Sequence, residues 1–196
     1  MAEIRSTMDM VMERAARLAA EADEVSADDA CVNEGMRMAA AYLSGEGANL
    51  LEQLKKKAPE GQMAIRRGMA QTLLRNIVLP RDEQISEQSL LSLAGLQELS
   101  GSSSDIVTIC SELKQILEQY GQHREQVKQQ FDESILNQLK MQLQQQGLAV
   151  DDEMALNPTM HPQYQEEWSR ASAELNNQYN EALGQRKELI GQRFGI

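Results

Sequence analysis

Between Ile106 and Gln146 the chain contains no proline and only one glycine, Gly121. About forty residues without a breaker predict a helix of roughly 60 Å at 1.5 Å per residue. Its apolar residues are heptad-like at first: Ile106, Cys110, Leu113, Leu117, Tyr120, Val127 and Phe131. They then step by four through Ile135, Leu139 and Leu143. His123 and Arg124 interrupt the stripe beside Gly121. A glycine there costs about 1 kcal/mol against alanine, so a bend or break is expected at that point. Glutamine, a good helix former without charge, covers much of the remaining surface.

A second long stripe follows. From Pro162 or Gln163 to Gly191 the apolar steps are mostly three or four: Tyr164, Trp168, Ala171, Leu175, Gln178 or Tyr179, Ala182, Leu183, Leu189 and Ile190. Phe194 and Ile196 are expected to tuck under the end or fray. Residues 147–163, with two prolines and the acids Asp151, Asp152 and Glu153, form a connecting loop. Two long striped helices joined by a loop predict an antiparallel, coiled-coil-like helical hairpin over 104–196.

Residues 1–103 read instead as several shorter helices. An amphipathic helix is expected over 4–24, carrying Ile4, Met8, Val11, Met12, Ala15, Leu18 and Ala19. Ser26 and Asp29 form a candidate capping box for a helix over 27–43. That helix is read as turning Ala30, Cys31, Met36, Met38, Ala39, Ala40, Tyr42 and Leu43 inward, and Ser44-Gly45-Glu46-Gly47 ends it. A short helix follows over Ala48–Lys57. Pro59 suits the first turn of a helix over 60–78, with Met63, Ala64, Met69, Ala70, Leu73, Leu74 and Ile77 inward, and Pro80 closes it. Residues 84–99 are leucine-dense, with Ile85, Leu90, Leu91, Leu93, Leu96 and Leu99, and predict a helix wrapped by neighbours. Gly101-Ser102-Ser103-Ser104 is a corner, and Ser104 or Asp105 would cap the next helix. The fold class is therefore all-α: a short-helix bundle, then a long hairpin, elongated. No repeat of 30–50 residues emerges.

Composition narrows the function. Acids number 30 and bases 19, a formal charge of -11. This disfavours nucleic-acid binding, which needs clustered cations, and adsorption on anionic membranes. No stretch is apolar enough to span a bilayer and the N-terminus has no signal-peptide layout, so a soluble cytoplasmic protein is expected. One local exception is Lys55-Lys56-Lys57 followed by Arg66, Arg67, Arg75 and Arg81, which would suit a small anion or a solvated face.

Chemistry is sparse. Cys31 and Cys110 lie in apolar helical contexts without metal spacing and read as reduced core residues. His123 reads as a rim residue. His161 lies in the loop near Asp151, Asp152 and Glu153, but one imidazole with loop acids is a poor zinc set. No nucleophile, phosphate-loop or di-metal pattern is present. Asp28-Asp29, Asp151-Asp152 and Glu166-Glu167 are adjacent pairs that cannot flank a substrate from one helix. Trp168, Tyr164 and Tyr179 read as packing against the facing helix or as a partner anchor. The methionines at 8, 10, 12, 36, 38, 63 and 69 read as core filling or an adaptable groove. No catalytic, cofactor or metal residue is assigned. The expected function is a non-catalytic protein–protein interaction, as adaptor, chaperone-like partner or scaffold, with a protein partner or a homodimer. The alternative is a helical-bundle enzyme or small anionic-ligand binder with its site in residues 1–100.

Overall fold

A computed structural model describes residues 27–47, 49–81, 84–145 and 157–196. All regular structure among them is helical, as the sequence predicts. The helices are α1 (residues 27–43), α2 (Leu50–Lys55), α3 (Gln62–Asn76), α4 (Glu87–Leu99), α5 (Ser104–Gln145) and α6 (Tyr164–Phe194). Single 3-10 turns lie at Pro59–Gly61 and Pro158–Met160. The expected helix over 4–24, Ser26 and most of the 147–163 connection lie outside the described residues.

Local chemistry sets the boundaries. Asn49 caps α2 by accepting from the Glu52 N–H at 2.9 Å, so this helix is shorter than Ala48–Lys57. Pro59 opens the 3-10 turn that leads into α3. Ser86 caps α4, which starts at Glu87 instead of 84. Three helices end in the same way. Past α1, α4 and α6 a glycine adopts positive φ (Gly45, Gly101 and Gly195), and paired backbone bonds satisfy the last carbonyls. In α6 that stop is Gly195, so the helix runs through Gly191 to Phe194, beyond its expected end. At the corner, Ser104 is already helical, and Asp105 accepts from the Ser103 and Ser104 hydroxyls at 3.3 and 3.4 Å.

One core joins the two halves of the chain. It gathers Leu50, Met69, Leu73, Ile77, Leu96 and Leu99 with Ile106, Cys110, Leu113, Leu117, Leu183 and Ile190. Each fully buried leucine or isoleucine contributes roughly 1.5–3 kcal/mol by leaving water. Ser89 is the polar pin of this core and is fully buried. Its hydroxyl donates to the Asn76 carbonyl at 3.0 Å and accepts from the Ser86 hydroxyl at 3.0 Å. It thus ties an unfinished end of α3 to the cap of α4.

Several inward assignments are corrected. The leucine-dense helix is not wrapped on all sides: Leu90 and Leu91 are 40% and 38% exposed. Its buried face is built on Ser89, Ser92 and Gly95, which allow close approach. A Cβ on Gly95 would lie 3.1 Å from Leu73. Met63 is 81% exposed, because Ala64 and Ile65 take the inward positions in that turn. On α1 the seam is Gly35 and Ala39, while Ala30 and Ala40 are exposed. On α6, Ala171 and Leu189 are exposed. Gly121 produces no break. It is buried inside a continuous helix, where packing outweighs its modest propensity cost.

Candidate functional site

The most extensive helix contact is between α5 and α6. Their paired residues run in opposite chain order. Asp105 meets Arg193 at 3.0 Å, Glu112 meets Arg186 at 2.6 Å, the Tyr120 hydroxyl donates to Asn176 at 2.6 Å, and Asp132 meets Tyr164. The common core stops at Leu117 on α5 and resumes at Leu183 on α6. The part of α5 beyond Leu117 measures about 40 Å at 1.5 Å per residue.

Along that part the seam alternates rings with polar pins. Tyr120 packs edge-on against Tyr179, centroids 5.3 Å apart, and the Tyr179 hydroxyl lies 3.4 Å from His123 Nδ1. Farther out, Phe131 lies 5.2 Å from Tyr164 and 5.6 Å from Trp168. Trp168 therefore packs across the seam, half-buried, and His123 stands exposed at its rim. Val127, Leu139 and Leu143 are half-buried, whereas Ile135 and Leu175 are buried.

Asp132 is the strongest pin. It accepts from Lys128 Nζ at 2.7 Å and from the Tyr164 hydroxyl at the first turn of α6. Burial opposes its charge, but the bonds from Lys128 and Tyr164 outweigh that and hold its carboxyl below the usual range. Bonding to Asp132 raises Lys128. Burial, then the bond to Asp132, raises Tyr164. A second polar contact lies in the bundle. Burial raises the Glu98 carboxyl, although it accepts from the Leu50 N–H at the start of α2, and Glu52 adds repulsion. One Glu98 carboxylate oxygen is buried with no hydrogen-bond partner. Burial, and then the nearby Glu98 charge, raises Tyr42.

The basic stretch is dispersed. Lys57 pairs with Glu34 at 2.7 Å, and Arg67 pairs with Asp28. Arg75 and Arg81 are exposed elsewhere. Lys55 and Arg66 alone converge, on a groove of about 340 Å³ whose lining includes Leu51, Leu54, Met63 and Leu99. Cys110 is buried and its thiol is pushed up to about 11 by burial; Cys31 is half-buried, and both are free. Met69 is core, Met36 and Met38 are half-buried, and Met8, Met10 and Met12 lie outside the described residues. His161 accepts from the Gln163 N–H at 3.4 Å, and Asp151, Asp152 and Glu153 lie outside the described residues. Glu166 pairs with Arg170 at 2.6 Å. Among the described residues, no group of three His, Cys, Asp or Glu is placed to hold a metal ion, and no helix is long and apolar enough to cross a membrane.

Asn176, Asp132 and Glu98 were not legible as partners. Each is a polar residue beside an apolar position, a pattern that solvated helix faces also show.

The chain is thus an all-helical protein in which a short-helix bundle shares its core with the base of two long antiparallel helices. It belongs to a family of unknown function, DUF6657, whose profile matches residues 51–192 and so covers α3 to α5 and most of α2 and α6. No curated protein and no solved structure gives a significant match.

Proposed function

We propose that this is a non-catalytic interaction protein, an adaptor or scaffold whose working part is the α5/α6 pair acting as a coiled-coil-like hairpin. One observation carries the reading: both helices continue well past the common core and are held there by one another. Rings and the Asp132 pin stiffen this extension, and a rigid surface loses little entropy on binding. Its outward residues, such as Gln122, Gln126, Gln130 and Gln138, are exposed and uncharged. Such a face suits a polar, hydrogen-bonding contact. Leu90, Leu91 and Val107, exposed on α4 and α5, give self-association as a homodimer a second surface.

The test compares affinity capture by the full chain with capture by a variant in which Gln126, Gln130 and Gln138 are changed to glutamate. The reading expects a specific partner to be lost with the fold intact by circular dichroism. Retention of the same partner by that variant overturns it. Sedimentation at micromolar concentration tests the dimer: a species at 21.9 kDa alone removes it.

A further inference from the structure

The groove at the end of α2 combines three properties. Its floor is apolar, with Leu54 and Leu99 only 5% and 1% exposed. Its volume, about 340 Å³, falls in the lower range of small-molecule sites. Its two cations, Lys55 on α2 and Arg66 on α3, have no carboxylate partner among the described residues, while nearby Lys57 and Arg67 are paired with Glu34 and Asp28. Arg66 is also held in place, with its guanidinium carbon 4.9 Å from the Phe194 ring centroid. Its Nε is buried without a hydrogen-bond partner.

We propose that this groove binds a single-chain alkyl carboxylate, with the carboxylate between Lys55 and Arg66 and the chain over Leu51, Leu54 and Leu99. A forked guanidinium and an ammonium suit a carboxylate. The apolar floor rewards burial of methylenes at roughly 0.8 kcal/mol each. On a chain of net charge -11, an anion is held only where cations are locally concentrated.

The test titrates the full chain with dodecanoate below its micelle concentration, followed by calorimetry. Saturable one-to-one binding is expected, and Lys55→Gln and Arg66→Gln should each weaken it at least fivefold. Arg66 also packs on Phe194, so thermal melts accompany that variant. Lys55 is exposed, so its replacement is expected to leave the fold intact, which the same melts check. Dodecyltrimethylammonium, with the same chain and the opposite charge, should not compete. Absence of saturable dodecanoate binding, unchanged affinity in Lys55→Gln, or equal uptake of the cationic amphiphile each overturns the proposal. So does an acidic amphipathic peptide that occupies the groove when dodecanoate does not.

Discussion

Gly35 and Gly68 form a reciprocal crossing of α1 and α3. A Cβ on Gly35 would lie 2.0 Å from the Ile65 carbonyl oxygen, and one on Gly68 would lie 2.0 Å from the Val32 carbonyl oxygen. The obstacle in both cases is backbone, which cannot rotate away as a side chain would. Gly35→Ala or Gly68→Ala should therefore destabilise the protein by about 3 kcal/mol or more. Urea unfolding with circular dichroism measures this. Gly184→Ala is the control: nothing lies within 4 Å of its position in α6, and a gain of about 0.5–1 kcal/mol is expected. Equal effects at Gly68 and Gly184 would refute the close crossing.

Asp132 should set the acid stability of the long pair. Its folded carboxyl titrates below the ordinary value, so the stabilisation is present above about pH 4 and is lost as pH falls through the folded value. Lys128 and Tyr164 are raised, so their share is present below about pH 10 and is lost as pH rises through their folded values. Tyr164→Phe should cost about 1–2 kcal/mol at neutral pH. That cost should shrink as pH falls from about 4 through the lower folded value of Asp132, below which the carboxyl is protonated in both states. Thermal melts across pH check it, and a cost that does not change with pH would exclude the Asp132 bond as its source.

Glu98 has the opposite sign. Burial raises its carboxyl, so the folded state binds the proton more tightly and stability falls as pH rises from about 4 through the folded value. Glu98→Gln keeps an acceptor for the Leu50 N–H and removes the buried charge. The variant should be more stable than the parent at pH 7, by up to about 1 kcal/mol. The advantage should vanish at low pH. A lower melting temperature for the variant at pH 7 would contradict the burial penalty.

The two thiols should separate in a labelling experiment. Cys110 lies 1% exposed in the core with its thiol pushed up to about 11. Cys31 is half-buried near Gly61, where a Cβ would lie 3.0 Å from its sulfur. An aromatic disulfide reagent at pH 8 should modify Cys31 first, and Cys110 only as the protein unfolds. Two fast equivalents without denaturant would show that the core opens readily.

Much of this was legible in the sequence, because helix signals are local. The striped run from Ile106 announced α5. Pro59, Pro80 and the glycines at 45 and 101 marked the breaks. Tyr164 and Trp168 had the spacing of seam residues. The misjudged positions share a cause. Leu90, Leu91 and Met63 were read as inward because they are apolar, whereas α4 turns Ser89 and Gly95 inward and α3 turns Ile65 and Gly68 inward. Small residues let backbones approach, and hydrophobicity alone does not report that advantage. The groove residues were equally hidden, since Lys55 and Arg66 belong to a basic run in which Lys57 and Arg67 pair with Glu34 and Asp28, and nothing local tells the two kinds apart.

By itself the amino-acid order determined the helical class and the presence of two long, apolar-striped helices in the second half, because these follow from contacts within a few residues. The tertiary structure decided which helices cross at glycine, where the common core ends on α5 and α6, and which polar side chains meet across the seam. Those outcomes depend on residues such as Asp132 and Tyr164, or Gly35 and Ile65, that are about thirty positions apart, and only packing in three dimensions brings them into contact.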